Sequence, residues 1–577
     1  MLKRIFPICV LSIAFLWTKN QVAGQTAPDT AVARTLFRES VELTDKGQFG
    51  TAKERLWEAT RILEAAGATE SALYATVLHQ RGVVFIKTIR PDSAIILNRA
   101  ALAIREKLFG YNSEPVSRSL LNIGQAYYGK LDFKKVLEYT QLALEVAKTL
   151  PPGSEEAVAS AFNNMSNAYV QMGNLPTAML YADSALGIRL LSQPVDSVNL
   201  AISYNNMGNL YTLAGDHARA VFYLEQSLAL RTAVYGKWHT DVAATYCNLG
   251  AAVHFTGDNE RALDLLQTAL EIRQQVPPAD ELEMAESYAN LMLPLIPLGD
   301  YDRAIEYGRL ALAICKKNGL RGAATMGITH LAWGSALVYK GALEEAIQQF
   351  ESALGIFYLT RNAPSAAEAL NNIGAVYGQM RDFQNQKKLM HQALERKMTI
   401  RKDHPDLAIG YINLGLACQN AGQPDSALLL LHQAEAHLLR TSGPAHPHFV
   451  TLHNTRALAL AQQADFDGAL AEIERAKRAN RYDRPGVFQQ VVHIDNLLTT
   501  LTGAAEIWRS RSDLEHARTA LLEAYAGVAY LRAAPLDPGS KAAINSRVFP
   551  LHEALIATEM ALFQKDQQEA HRREAFR

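Results

Sequence analysis

Residues 203–216 read Ser203-Tyr-Asn-Asn-Met-Gly-Asn-Leu-Tyr-Thr-Leu-Ala-Gly-Asp216. Apolar residues recur at helical spacing until Gly215-Asp216 breaks the run. A second amphipathic stretch follows from Ala218 to Ala233, with Ala220, Leu224, Leu228 and Leu230 on its apolar side. The stretch therefore predicts two helices joined by a tight turn. Its glycine also sets a register. Ser40, Gly82, Gly124, Ser166, Gly208, Gly250, Met292 and Gly334 lie 42 residues apart in succession, Met292 being the one large residue among them. Looser units follow at Gly374, Gly415 and Ala457, and much looser ones near Ala505 and Thr558. A period of this size means one supersecondary unit stacked on copies of itself.

Between units lie Gly110–Pro115, Pro151-Pro-Gly153, Pro277-Pro278, His404-Pro405 and Gly443-Pro444. Proline removes an amide donor and glycine tolerates positive φ, so these are loops. No segment alternates with period two, which makes the fold all-α: a right-handed superhelical solenoid of antiparallel helix pairs. Small residues have a packing reason. Gly208 with Ala220, Gly250 with Ala262, Gly334 with Ala346 and Gly415 with Ala427 bracket the place where the two helices of a unit cross. Ala269, Ala311, Ala353, Ala393 and Ala434 occupy the slot where the next unit approaches, and Tyr127, Tyr169, Tyr211 and Tyr377 fill the gap beside them.

The pattern Gly208, Tyr211, Gly215 and Ala220, with alanine in the later slot of neighbouring units, resembles the tetratricopeptide repeat. The 42-residue spacing is similar to the long variant of kinesin light chains and of many bacterial regulatory and scaffold proteins. The Asn163-Asn164, Asn205-Asn206 and Asn371-Asn372 pairs, Ala103-Ile-Arg-Glu-Lys107 and His404-Pro405-Asp406 support it. The resemblance covers residues 31–480, about 11 repeats, and extends loosely over a divergent region, 481–577. Met292-Leu-Pro294 departs from it, and Pro294 with Pro297 leads us to expect a kinked first helix in the seventh unit.

The resemblance implies that a peptide or protein partner binds on the concave face, which the first helices line. At 100° per residue, helix positions 2, 5, 6, 9, 12 and 13 of a unit share one arc opposite the packing positions. Position 6 is Asn122, Asn164, Asn206, Asn248, Asn290, Asn372 and Asn413; positions 5 and 9 add Asn163, Asn205, Asn167 and Asn209 among others. An amide supplies donors and an acceptor, which suits an extended peptide backbone of any sequence. The peptide-binding candidates are thus Asn163, Asn167, Asn205 and Asn209, joined by Asn164, Asn206 and Asn248. The other reading of position 6 is a structural ladder, each asparagine bonded to a neighbouring helix.

Chemistry finds little foothold. The chain has no His-Glu-x-x-His, Gly-x-Ser-x-Gly or phosphate loop, so no catalytic residues, metal or cofactor are expected and the chain reads as no enzyme. His446 and His448 flank Pro447 in a loop, and Asp216 and Asp258 sit at turn slots where helix capping explains them. The 577 residues carry 57 basic against 58 acidic side chains, a net charge of −1 that attracts neither nucleic acid nor anionic lipid. Of four cysteines, Cys247, Cys315 and Cys418 lie in helical apolar patterns and read as buried thiols.

Lys3, Arg4, the apolar run Ile5–Trp17 and Val22-Ala23-Gly24 have the layout of a signal peptide, residues 1–24, cut ahead of Gln25; residues 25–30 are then a linker. The apolar run is short for a membrane span, and the alternative is an uncleaved anchor. The expectation is an exported, periplasmic or secreted, interaction scaffold. At the far end, Gln567–Arg577 looks like the start of a repeat's second helix. Its Glu-Ala-Phe segment is similar to one leading into caspase-like CHAT domains of bacterial proteins. The alternative reading is therefore the sensor region of a longer CHAT or signalling protein.

Overall fold

The computed structural model describes residues 28–566 and His571, apart from 46, 89, 193–194, 277–280, 401–405, 442–445, 447, 489–490, 492–493 and 534–537. The expected signal peptide, 1–24, the first part of the expected linker, 25–27, the breakers at 277–278, 404–405 and 443–444, and nearly all of 567–577 lie outside the described residues; residues 28–30, expected as linker, instead open the first helix. Among the described residues every regular element is helical, with no strand.

Helices come in antiparallel pairs. In residues 2–291, the first of two compact bodies, the pairs are α1 (Pro28–Asp45) with α2 (Phe49–Ala65), α3 (Ala72–Lys87) with α4 (Pro91–Phe109), α5 (Glu114–Gly129) with α6 (Phe133–Lys148), α7 (Glu155–Gln171) with α8 (Leu175–Leu191), α9 (Ser197–Ala214) with α10 (His217–Tyr235) and α11 (Thr240–Phe255) with α12 (Asn259–Gln275). α13 (Glu281–Leu295) and α14 (Tyr301–Lys317) follow in the chain. The second body, residues 292–577, continues with α15 (Ala323–Tyr339) and α16 (Leu343–Leu359), α17 (Ala363–Gln379) and α18 (Phe383–Ile400), α19 (Asp406–Asn420) and α20 (Pro424–Thr441), α21 (His448–Gln462) and α22 (Phe466–Ala479), α23 (Ile494–Ser510) and α24 (Leu514–Ala533). A 29-residue helix, α25 (Pro538–Asp566), follows.

The turn inside most pairs is built from two residues. A residue in the left-handed region ends the first helix, glycine at 173, 215, 257, 299 and 341, and glycine meets that conformation without Cβ strain. The next polar residue caps the second helix: Asp132, Asn174, Asp216, Asp258, Asp300 and Asp465 each accept the backbone N–H three residues on. Such caps are worth about 0.5–2 kcal/mol each, which accounts for Asp216 and Asp258 without any chemistry.

Packing within a unit follows one rule. A Cβ on Gly208 would lie 2.5 Å from Leu224 Cγ, one on Gly250 2.7 Å from Leu266 Cγ, and one on Gly334 2.5 Å from Phe350 Cε1. The small residue thus makes room for a large one sixteen positions later, and the carbonyls of Ala220 and Ala262 press on the same spot at 3.1 and 3.2 Å. Ala269, Ala311, Ala353, Ala393 and Ala434 are fully buried, as their close-approach slot requires. The tyrosines stack in register: Tyr127 on Tyr139, Tyr169 on Tyr181 and Tyr211 on Tyr223, with ring centres 5.5–5.6 Å apart. Cys247, Cys315 and Cys418 are buried and form no disulfide. In the seventh unit α13 runs through Pro294 and stops at Leu295, so the two prolines fall in and just after its last turn.

Candidate functional site

The asparagine face is assembled by the first helices, which touch from one unit to the next, α5 against α7 and α9 against α11 among them. Position 6 reaches backwards. Asn206 Nδ2 donates to Asn163 Oδ1 in the preceding unit, and Asn248 Nδ2 donates to Asn205 Oδ1 at 3.1 Å. The same slot in the third unit, Asn122, places its amide 3.2 Å from His79 Nε2, the position-5 residue of the second unit. Five of the seven candidates are therefore buried: Asn163, Asn164, Asn205, Asn206 and Asn248. Four of those five are rungs of a ladder joining helices.

The ladder has a gap. Position 5 of the third unit is Leu121, which offers no acceptor, and Asn164 beside it leaves both Nδ2 and Oδ1 buried without a hydrogen-bond partner. Asn167 and Asn209, one turn further on, are half-buried, and Asn209 Oδ1 is likewise unpaired. Outside the first body, Oδ1 of Asn371 and of Asn454 repeats the pattern. Leaving a buried amide unpaired costs about 1–3 kcal/mol.

Charges near this face are already matched. Arg118 pairs with Glu114 at 2.5 Å, and Arg189 meets Glu156 through two nitrogens at 2.7 and 3.1 Å. Burial first, then the neighbouring Arg105 and Arg118, hold His79 well below the usual imidazole range.

Buried arginines form a second device that our reading of the sequence missed. Nη1 of Arg105, Arg189, Arg231 and Arg273 donates to the hydroxyls of Ser119, Ser203, Thr245 and Ser287 at 2.6–2.8 Å. Each hydroxyl lies fourteen residues on, at the start of the next unit. Nη1 of Arg105, Arg231 and Arg273 also bonds the carbonyl ten residues on, at Pro115, Asp241 and Glu283. The signal was present in the sequence: where the arginine slot holds Ala147, the hydroxyl slot holds Ala161. Burial pushes Arg105 down to about 10.

His239 and His254 stand at opposite ends of α11. His446 and His448 are adjacent, ring centres 4.8 Å apart, with His446 Nδ1 accepting the His448 amide. Among the described residues no group of three or more His, Cys, Asp or Glu is arranged to hold a metal ion, and no helix is long and apolar enough to cross a membrane.

A sequence profile of the tetratricopeptide repeat matches residues 193–275 and 365–440. This is a tetratricopeptide-repeat protein. The repeats give it the architecture of a protein–protein interaction scaffold. Among similar proteins are the secreted RxLR effector RXLR-C07 of Plasmopara halstedii, 29% identical over 132 residues, 22% of this chain and 39% of the relative. The RxLR effector SFI4 of Phytophthora infestans (strain T30-4) is 28% identical over 125 residues, 22% of this chain and 35% of the relative. The matches thus span little more than a third of those relatives. Of solved structures, apo RapI aligns at 13% identity and TM-score 0.46, covering 66% of this chain and 99% of its own.

Proposed function

We propose that this protein is an exported, non-catalytic scaffold that binds an extended peptide segment of a partner protein along the asparagine face of its first helices. Asn163, Asn164, Asn167, Asn205, Asn206, Asn209 and Asn248 form the site, with Asn167 and Asn209 the groups a ligand touches most readily. One observation carries the reading: the Asn164 amide is buried with donor and acceptor both unpaired, between rungs that are paired. A peptide backbone running past it supplies one N–H and one C=O per residue and completes the ladder. In units four and five the face positions are uncharged, Ser160, Asn163, Asn164, Asn167, Ile202, Asn205, Asn206 and Asn209 among them, which favours backbone recognition over recognition of a charged side chain.

The test is panning of a random-peptide display library over the full chain, then measurement of selected peptides on Asn167→Ala/Asn209→Ala. Loss of affinity by ten-fold or more is expected. Unchanged affinity for the double variant overturns the site. Export is tested by the intact mass from native cells: cleavage before Gln25 gives a chain of roughly 61 kDa, and a mass retaining residues 1–24 removes that part of the proposal.

A further inference from the structure

The first body touches itself across 194 residues. His239, the N-cap of α11, places Nε2 2.7 Å from the carbonyl oxygen of Asp45, the last residue of α1. The tautomer is set on its other side: Nδ1 accepts the backbone N–H of Asp241 at 3.1 Å, so Nε2 carries the hydrogen and donates. The carbonyl it finds is one of those a helix C-terminus leaves without an intrahelical partner. Locally, Gly47 N–H bonds Thr44 O and Gln48 N–H bonds Leu43 O, and neither turns to Asp45 O. The imidazole is held flat on Tyr235, ring centres 4.2 Å apart, and its side chain is 12% exposed. Beside it, a Cβ on Gly47 would lie 3.8 Å from Thr240 Cγ2, an ordinary van der Waals contact.

The two segments belong to opposite edges of the helix layer. The turn after α1 joins the two helices of one unit, whereas the loop before α11 joins one unit to the next. In a row of antiparallel pairs, within-unit turns line one edge and between-unit loops the other. The upper edge of unit one can meet the lower edge of units five and six only if the row has wound through a full turn, with successive turns in contact.

We infer that the Asp45–His239 contact seals the wall between successive turns, so that the asparagine-lined interior of residues 28–291 admits its partner along the axis, as an extended segment with a free end, and excludes a folded domain from the side. This rests on the concave-face reading above for what is bound, but the route of entry is tested without a partner.

The full chain carrying Asn209→Cys is labelled with three maleimides: N-ethylmaleimide, a linear polyethylene-glycol maleimide, and a maleimide on a small folded protein through a short linker. Mass spectrometry locates the label. The small and linear reagents are expected to react at comparable rates, and the folded one at least ten-fold more slowly. Adding Gly47→Cys and Thr240→Cys, oxidised to a disulfide, is expected to leave all three rates unchanged. His239→Ala is expected to speed the folded reagent and hydrogen exchange at 47–50 and 240–243. Equal labelling by all three reagents, or failure of the cysteine pair to cross-link, overturns the seal. Failure of peptide panning with the labelling pattern intact overturns only the peptide-binding reading.

Discussion

Met292 fills the space that Gly308 leaves: a Cβ on Gly308 would lie 3.0 Å from Met292 Cε. In units five, six, eight and ten the glycine is on the first helix and the large side chain sixteen residues later. The seventh unit reverses the two, with Met292 fully buried. The residue that breaks the sequence register therefore keeps the volume of the crossing constant.

That exchange predicts compensation. Gly308→Leu alone should cost about 1–3 kcal/mol by overpacking, and Met292→Gly alone about 2–5 kcal/mol through lost burial and a cavity. Met292→Gly/Gly308→Leu should cost less than the sum of the two by about 0.5–3 kcal/mol. Urea unfolding of the four proteins checks it, and additive costs would falsify the swap.

The asparagines should separate by partner. Asn206→Leu strands Asn163 Oδ1 in a buried site and should destabilise by about 1–3 kcal/mol. Asn164→Leu removes two polar atoms that have no partner and should be neutral or stabilising. The same Asn164→Leu substitution should weaken peptide capture. Melting temperatures together with display-peptide affinity decide it; a destabilised Asn164→Leu argues that a bound water completes that rung.

Arg231 should matter through the two bonds of one nitrogen. Arg231→Ala should cost roughly 1.5–3 kcal/mol, the scale of hydrogen bonds from a charged group. Arg231→Lys should restore part of it, because Thr245 Oγ1 and the Asp241 carbonyl are both served by one nitrogen, Nη1, and an ammonium carries three donors on one nitrogen. After Arg231→Ala, a further Thr245→Ala should add little, as the natural Ala147–Ala161 pair suggests. A full additional loss in the double variant would contradict the coupling.

Stability should fall in mild acid. Burial is the first cause that lowers His79, His217, His254 and His330 below the ordinary 6.5. Because the folded pKa is depressed, the unfolded chain binds more protons below pH 6.5; the stabilisation is present above 6.5 and is lost as pH falls towards the folded values. The urea midpoint should drop between pH 7.5 and 5.5, and His79→Gln should flatten that slope. A variant slope equal to the wild type removes His79 from the account.

The fold was legible because its grammar is local. Glycine in the left-handed turn, an acid cap one residue on, and a small residue facing a large one sixteen later recur from unit to unit, most completely in units five and six, so one unit explains much of the others. The site was legible only as a face. An arc at 100° per residue places positions 5 and 6 together, yet it does not say which atom of Asn206 meets which atom of Asn163 on the neighbouring helix. That depends on the stagger between helices, which no single-helix projection contains. The Arg189–Ser203 spacing was readable, but it crosses a unit boundary and is invisible when units are compared one under another. The Asp45–His239 contact depends on small rotations accumulated over five units, and no local pattern encodes it.

The buried arginines and the asparagine ladder join neighbours by residue types that repeat, not by residues unique to one junction. Excision of residues 190–231 would bring Thr245 and the Asp241 carbonyl to Arg189, and would align Asn248 with Asn163. The cut ends would find bonds of the same chemistry as those they lost. The chain is therefore spliceable in steps of one unit, so that its length is open to change by recombination while every remaining joint stays intact.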